Sequence, residues 1–471
     1  MTDTGRLRGV LGPRTLRVVY GDVDPAEVAA IGEVDRAHLV MLAERGLIAA
    51  DAARALLTAV DDLRADGFAA LTGLPAPRGA YLMYEDHLTG LLGPEVGGVL
   101  HTGRSRNDLK ATTTALELRS WAVELVEQSA RAQGVLLSRA RAHHDVVMPV
   151  YTHFQGAMPV TYGYYLLGLA HAVGRDVEAV RAAAEGLDVC PLGASAVAGT
   201  DLPIDPARTA RLLGFAATTT HALDAVASRD AALRLLAAAA GLAVTLSRLA
   251  TDLQLWSTAE FGFVRFPERL VGGSSAMPQK RNAFLLEHVR AKAGRAVGAW
   301  AGAAAAVKSA PFTNSIEVGT EAMAEIRSGL TAVADSVSLC QVLVSGAAPV
   351  ATRMRERVEG AFTTATAVAN RLVAAGVPFR SAHHAVGTAV RAALDRGASS
   401  LNGEFPVEVP SVDQAVAEQR YGGGPGAFAD SFTVAADGWN GHRAWVSGRR
   451  RAAREAAAEL DAAVARVKGE A

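Results

Sequence analysis

Apolar residues recur at helical spacing along most of the chain. Near the N-terminus, Leu39, Leu42 and Leu47 lie close to one helix face. This pattern predicts helices at 26–45 and 49–66, followed by a loop. Five longer helices are predicted at 109–144, 160–186, 222–256, 284–309 and 320–346. Because each is much longer than the average helix of about 11–12 residues, we expect a bundle of long helices.

Shorter helical patterns follow Pro349, where the long helices end. They are predicted at 361–375, 381–396, 412–419 and, after a strong break at 421–426, at 449–468. A chain of 471 residues exceeds the ~250–300 residues at which single hydrophobic cores stop growing. We therefore expect an all-α protein of three helical domains, at 1–108, 109–355 and 356–471, without the strand–helix alternation of an α/β fold.

Charge and cysteine content narrow the classes of function. The 47 Lys and Arg residues almost balance the 48 Asp and Glu residues, so nothing points to nucleic acid or an anionic membrane as partner. Cys190 and Cys340 are too few for a disulfide framework. The polar N-terminus does not resemble a signal peptide, and the longest uncharged apolar runs, 235–246 and 296–307, are shorter than a membrane span of ~20 residues. A soluble, cytoplasmic protein is expected.

A polar segment at 101–108 stands directly before the first long helix. It holds two Arg, two hydroxyl residues and an Asn. Arg presents paired donors to a carboxylate, and a helix N-terminus adds backbone N–H groups. The segment therefore indicates a carboxylate receptor. A capped, solvated helix start, with Asn107 or Asp108 as the cap, accounts for the same residues, and both interpretations stay open.

Two further polar segments interrupt the helical pattern. In 151–159, His153 stands beside a Thr at a break before a helix. It is a candidate acid–base group, although an ordinary hydrogen-bonded histidine fits as well. The segment 272–282 combines Gly, paired hydroxyls, two cations and an amide, and the next helix carries Glu287. It lacks the P-loop pattern, and we interpret it either as a mobile loop that closes over an anion or as a structural loop.

Together, the three segments resemble the argininosuccinate lyase family of the fumarase/aspartase superfamily. Residues 273–282 match the superfamily's signature loop, GSSxMPxKxN. Residues 101–108 are similar to the HTGRSRND segment of the argininosuccinate lyase branch, and 152–159 to its THxQxAxP segment. The stretch 376–384 and the Gly422-Gly423 turn are also similar. The resemblance therefore covers essentially the whole chain.

The resemblance implies a fold and a reaction. The fold has three mostly helical domains with a central five-helix bundle, in a homotetramer with a twenty-helix core. Each active site is then built from the three segments of three different subunits, without a cofactor or metal. The reaction is a C–N elimination that removes an amine or guanidine from an N-substituted aspartate, such as argininosuccinate, through an aci-carboxylate to give fumarate.

The resemblance also implies roles for single residues. Ser274 matches the catalytic base, His153 the catalytic histidine, and Glu287 the acid that orients this histidine. The predicted substrate-binding residues are Ser105, Arg106, Asn107, Thr152, Gln279, Lys280 and Asn282. Whether His153 protonates the leaving amine or only positions groups stays open.

The match is weaker for the amine half of the substrate. The family has a Tyr, a Gln and a Lys after the fourth bundle helix, where this chain has Asn314, Gly319 and Ala322. Tyr20 stands about where a substrate-binding Ser is expected, whereas Asp24 is retained. The amine could belong to another N-substituted aspartate, for instance an aminopolycarboxylate of the ethylenediamine-disuccinate kind. An enzyme that adds an amine to fumarate, or a catalytically inactive structural homologue, would fit these differences too.

Overall fold

The computed structural model describes residues 15, 18–19, 24–74, 76 and 79–470. The interpretations of the first ten residues and of Tyr20 lie outside this range. Over the described residues the protein is all-α, which confirms the predicted fold class.

Helices account for most of the described chain. The N-terminal helices are α1 (Pro25–Glu44), α2 (Ala50–Ala65), α3 (Ala80–Leu92) and α4 (Pro94–Gly97). The middle of the chain forms α5 (Arg106–Ala142), α6 (Tyr162–Glu185), α7 (Pro206–Leu212), α8 (Ala222–Ala227), α9 (Asp230–Trp256), α10 (Phe284–Val307) and α11 (Ala322–Gly346). The last helices are α12 (Ala351–Glu359), α13 (Ala365–Ala374), α14 (Phe379–Asp395), α15 (Val412–Glu418) and α16 (Phe428–Lys468).

Short strands pair into three two-stranded ladders in the described chain. The largest is an antiparallel hairpin of β1 (Val147–Thr152) and β2 (Gln155–Thr161). The other strands are β3 (Val189–Cys190), β4 (Ala217–Thr218), β5 (Val264–Arg265) and β6 (Ala348–Pro349). A π-helical turn, Glu317–Glu321, leads into α11.

The three largest clusters of buried side chains in the described chain form the cores. The central cluster joins α5, α6, α9, α10 and α11 into a five-helix bundle. A second cluster joins the N-terminal helices to Leu460 and Val464 near the end of α16. The third lies between α13 and α14, around Val368 and Ala382. The 41-residue α16 therefore begins in the C-terminal region, and its last turns pack against the N-terminal core.

The long helices of the bundle agree with those predicted from the spacing of apolar residues, except that one predicted helix is divided into two. The predicted helix at 222–256 is interrupted at Ser228 and Arg229, between α8 and α9. Several elements were not predicted. They include α3, α7, α12, the β1–β2 hairpin and the first 21 residues of α16, which begins at Phe428 rather than at 449.

Two bundle helices are long and apolar enough to cross a membrane by length and composition alone. They are Asp230–Trp256 and Glu317–Gly346, and half of each apolar window is buried inside the protein. The uncharged run 235–246 counted in the sequence covers only part of the first of these helices, because charged residues interrupt that helix on both sides of the run. The buried faces of both helices belong to the central core.

Candidate active site

The first polar segment starts α5 through a capping box. The Ser105 Oγ accepts a hydrogen bond from the Asn107 N–H at 3.3 Å, and the Asp108 Oδ1 accepts one from the Ser105 N–H at 2.9 Å. Such reciprocal bonds satisfy N–H groups that the helix itself leaves unpaired. The segment is therefore a capped helix start, but the N-cap is Ser105 rather than the predicted Asn107 or Asp108, and Asp108 closes the capping box three residues later. The cap also uses the Ser105 hydroxyl, which the resemblance predicts to bind substrate.

The next two residues of the segment retain binding capacity. Arg106 is exposed, and its side chain makes no hydrogen bond or ion pair with any residue that the structure describes. The Asn107 Nδ2 donates to the Ala196 carbonyl at 3.0 Å, and its Oδ1 accepts from the Asn314 Nδ2 at 2.9 Å. Asn107 is thus held from both sides, with one amide hydrogen left over. A free guanidinium beside a fixed amide at a helix N-terminus suits a carboxylate.

Asp108 ties this helix start to a distant loop. Its Oδ2 accepts hydrogen bonds from the backbone N–H of Gly193 at 3.0 Å and of Ser195 at 2.8 Å. The carboxylate is buried, and burial raises its pKa although these N–H donors oppose the shift. Asp108 therefore fixes the loop that also supplies the Ala196 carbonyl to Asn107.

Asp108→Asn is expected to lower the free energy of unfolding by about 2 kcal/mol, because an amide NH₂ would face N–H donors and leave them unpaired. Chemical denaturation measures this change. Asp201→Asn is the matched control, since Asp201 is exposed in the same part of the chain and makes no side-chain hydrogen bond with the described residues. Equal stability of both variants would contradict the role of Asp108.

A buried polar network lies beneath the first segment and joins it to α1 and α3. Arg104 forms an ion pair with Asp35 at 2.5 Å, and both side chains are fully buried. The Arg104 Nη2 also donates to the Tyr81 hydroxyl at 3.3 Å. His38 Nε2 donates to the Thr102 carbonyl at 2.8 Å. Because these partners lie in the core, they fix the backbone from which Arg106 and Asn107 project.

His38 makes the stability of this network depend on pH. Burial, with the Arg104 guanidinium nearby, lowers the pKa of His38 well below its usual 6.5. The folded protein keeps His38 neutral, whereas the unfolded chain protonates it below pH 6.5. Acid therefore favours the unfolded state, and the free energy of unfolding should fall by up to about 1.4 kcal/mol per pH unit below that value.

Thermal unfolding between about pH 7 and pH 5 tests this expectation against His38→Gln. The glutamine amide can still donate to the Thr102 carbonyl but cannot titrate. The variant should lose less stability on acidification than the wild-type protein. Identical pH dependence of the two proteins would show that His38 is not the group responsible.

The second segment forms the tip of the β1–β2 hairpin. Its two turn residues, His153 and Phe154, have φ values of 51° and 60°, as two-residue hairpin loops of type I′ require. For residues other than Gly this backbone region costs about 1–3 kcal/mol each and is often found at functional sites. Phe154 is 82% exposed.

His153 has no hydrogen-bond partner in the described chain, and both it and Thr152 are exposed. Its imidazole is therefore available to a group outside the described chain, and both interpretations of His153 stay predictions.

The third segment is a loop closed at its base by a backbone bridge between Gly272 and Asn282, with both N–H···O distances at 2.8 Å. Within it, the Ser274 Oγ accepts hydrogen bonds from the N–H groups of Ala276 at 3.3 Å and Met277 at 3.1 Å. The Asn282 Nδ2 donates to the Gly273 carbonyl at 3.3 Å. Two N–H donors on one hydroxyl oxygen favour negative charge there.

The loop also presents unpaired polar groups. Gln279 and Lys280 are exposed and make no side-chain hydrogen bond or ion pair among the described residues. Glu287, one turn into α10, accepts a hydrogen bond from the Gln254 Nε2 at 3.1 Å, and its carboxylate makes no ion pair or hydrogen bond with a histidine among the described residues. The predicted pairing of Glu287 with His153 is thus not made within one chain.

One chain does not bring the three segments together. The 37 residues of α5 separate Arg106 from the hairpin by about 55 Å. The 24 residues of α10 separate the signature loop from Asn314 by about 36 Å. At the Arg106 end, the chain instead adds the segment 308–316, which bonds to Asn107 through Asn314. Asn314 and Ala196 are the site residues that the sequence did not predict.

The segment 308–316 presents apolar side chains beside Asn107. Phe312 is 64% and Ile316 65% exposed, and the Asn314 amide is occupied by Asn107.

Comparison with known proteins identifies the family. Residues 31–298 match the family model described as lyase, and residues 362–418 match the one described as argininosuccinate lyase C-terminal. The argininosuccinate lyase of Thermus thermophilus is 41% identical over 369 residues, which cover 77% of this chain and 79% of that protein.

Three solved structures share the fold. The structure of EDDS lyase in complex with formate is 27% identical to this chain, with a TM-score of 0.86, and the match covers 97% of this chain and 95% of that one. The structure of an EDDS lyase variant with bound fumarate is 26% identical, with a TM-score of 0.87, and the match covers 99% of this chain and 97% of that one. The class II fumarase of Schistosoma mansoni, at 16% identity and a TM-score of 0.72 over 84% of this chain and 92% of its own, shares the fold alone. The chain therefore belongs to the argininosuccinate lyase family of carbon–nitrogen lyases, within the fumarase/aspartase superfamily.

Proposed function

We propose that this protein eliminates an amine or guanidine from an N-substituted aspartate, such as argininosuccinate, and releases fumarate. The observation that carries the proposal is the signature loop, in which Ser274 receives two backbone N–H donors while Lys280 is left without a partner among the described residues. A base stabilised as an anion and a free cation beside it are what abstraction of a proton next to a carboxylate requires.

The chemical difficulty is the weak acidity of the Cβ–H bond of the substrate. Ser274, as the alkoxide, takes this proton, and the electron pair moves into the adjacent carboxylate to give an aci-carboxylate dianion. Lys280 and Asn282 stabilise the added charge. The Cβ–Cα double bond of fumarate then forms as the Cα–N bond breaks, and the amine leaves with its electron pair and takes up a proton.

The remaining predicted residues bind and orient the dicarboxylate. Arg106 and Asn107 bind a carboxylate from the start of α5, while Thr152 and Gln279 add donors from the hairpin and the loop. His153, oriented by Glu287 of another subunit, either protonates the leaving nitrogen or positions the groups around it. The free guanidinium of Arg106 and the unpaired ring of His153, each without a partner among the described residues, support these roles.

We infer that the working enzyme is a cytoplasmic homotetramer without a cofactor. The separation of the three segments along α5 and α10 supports a site shared between subunits. Large apolar side chains are also exposed on three bundle helices, as expected for faces that pack against other copies of the chain. They include Val244, Val297, Trp300 and Val342.

A second substrate class is supported beside argininosuccinate. Phe312 and Ile316 are exposed beside Asn107, and the sequence lacks the Lys that would meet the carboxylate of the arginine half. These features favour another N-substituted aspartate, including an aminopolycarboxylate of the ethylenediamine-disuccinate kind. Addition of an amine to fumarate is the same reaction in reverse.

The test is an assay of the purified protein with argininosuccinate, in which fumarate formation is followed in the ultraviolet. The reverse reaction with fumarate and a panel of amines covers the second class. Turnover of argininosuccinate supports the first substrate, and turnover with another amine alone supports the second. Absence of turnover in both directions with every amine would favour a structural homologue without activity.

A further inference from the structure

His101 belongs to the first polar segment but has no role in the reaction proposed above. It begins a turn in which the Arg104 N–H donates to the His101 carbonyl at 3.4 Å. Arg106 follows this turn by two residues. The imidazole therefore lies on the same short piece of backbone as the groups proposed to bind the dicarboxylate.

The ring of His101 is held from the core side. Its Nδ1 lies 2.7 Å from the Tyr81 hydroxyl oxygen. The same oxygen accepts from the Arg104 Nη2 at 3.3 Å, and Arg104 is fixed by the buried Asp35 carboxylate. A ring anchored through one nitrogen to a buried network has a defined direction for the other nitrogen.

The protonation of the ring follows from its neighbours. Burial, with the Arg104 and Arg106 guanidiniums nearby, lowers the pKa of His101 to about 4, so the ring is neutral near pH 7. The Tyr81 hydroxyl keeps its proton because burial raises its pKa. Its nearest acceptor is His101 Nδ1, since the Glu85 Oε1 is farther away at 3.3 Å. A neutral ring that accepts at Nδ1 carries its hydrogen on Nε2.

The Nε2 side of His101 is open. The side chain is 35% exposed, and Nε2 makes no hydrogen bond with the described residues. We propose that His101 binds the substrate, with its Nε2–H donating to a carboxylate oxygen of the dicarboxylate held by Arg106 and Asn107. This inference rests on the proposed function, which supplies the dicarboxylate.

Two substitutions separate the two nitrogens of the ring. In His101→Asn the side-chain amide can reach the position of Nδ1 and keep the contact with Tyr81, but nothing replaces Nε2. In His101→Gln the amide reaches the position of Nε2 and can donate to the substrate. Titration calorimetry with fumarate alone, on wild-type protein and both variants, measures the dissociation constant without turnover.

We expect His101→Asn to raise the Kd for fumarate about tenfold or more, as loss of a hydrogen bond to a charged group does. His101→Gln should stay within about threefold of the wild-type value. Fumarate binding by His101→Asn at wild-type affinity, or a loss in His101→Gln as large as in His101→Asn, would overturn the inference, because a donor at the position of Nε2 would then not set the affinity. Failure of the wild-type protein to bind fumarate would instead overturn the proposed function, and this inference with it.

Discussion

Replacing Ser274 by alanine is expected to lower kcat by about 10²–10⁴-fold, the usual contribution of a positioned general base. The substitution removes the oxygen that takes the Cβ proton but leaves Arg106, Asn107 and Lys280 in place. The affinity for fumarate should therefore change by only a few-fold. Steady-state kinetics with the best substrate from the assay, together with the fumarate Kd, measure both quantities.

The neighbouring Ser275 provides a matched control. It is exposed and makes no side-chain hydrogen bond with the described residues, whereas the Ser274 hydroxyl accepts from two N–H groups. Ser275→Ala should keep kcat within about twofold, since no group of the proposed mechanism is lost. A wild-type rate in Ser274→Ala would exclude Ser274 as the base. An equal loss in both variants would mean that the shape of the loop, rather than the Ser274 oxygen, sets the rate.

The bundle could be predicted from the sequence because its helices carry a sustained apolar period. The helices α5, α9, α10 and α11 each bury one face in the central core, and burial of this kind follows directly from spacing. In α16 the same signal is weaker. Gly438, Gly441 and Gly448 lie inside this helix, and a run of glycines precedes it. Because glycine has a low helix propensity, the sequence indicated a break here, whereas packing against α5 and α6 maintains the helix.

The hairpin was missed for a different reason. A two-residue turn of type I′ is normally signalled by Asn-Gly or a similar pair, and here the turn is His153-Phe154. The turn preference of these two residues therefore disagrees with the observed backbone at the position of a candidate catalytic residue. Such disagreements are expected at functional sites. The helix α3 lies between two glycine-rich stretches, one ending at Gly79 and the other including Gly93. These glycines made the whole region resemble a loop in the sequence.

The residues of the candidate site could be predicted from the sequence, but the contacts between them could not. The capping box of Ser105 and Asp108 is a local pattern and can be read from the sequence. The partners of Asn107 cannot, because Ala196 and Asn314 are 89 and 207 positions away. Contacts across such separations depend on how the bundle packs, and no local pattern encodes them.

Two inactive variants are expected to restore each other's activity when they share a tetramer. Arg106→Ala lacks a carboxylate ligand and Ser274→Ala lacks the base, so each homotetramer should be inactive or nearly so. In one chain, α10 separates the loop of Ser274 from the end of the bundle where Arg106 lies by about 36 Å. Each site must then take Arg106 from one subunit and Ser274 from another.

The size of the restored activity follows from chance. For a given site, the subunit that supplies Arg106 must be the Ser274→Ala chain, and the subunit that supplies Ser274 must be the Arg106→Ala chain. With random mixing of equal amounts, about one site in four meets both conditions, so activity should approach about a quarter of the wild-type value. Co-expression with two different affinity tags, followed by purification of mixed oligomers and the fumarate assay, measures it.

A second pair of variants shows whether the geometry is the cause. Ser274→Ala and Lys280→Ala change the same loop, so every loop in their mixed tetramers carries one defect and no site can be intact. Mixing should then restore nothing beyond the level of the parents. No recovery with Arg106→Ala would mean that a site does not combine Arg106 and Ser274 from different chains. Recovery in the control pair would mean that restored activity does not depend on where the two changed residues lie. The separation of the three segments along α5 and α10 would then not be the one present in the active enzyme.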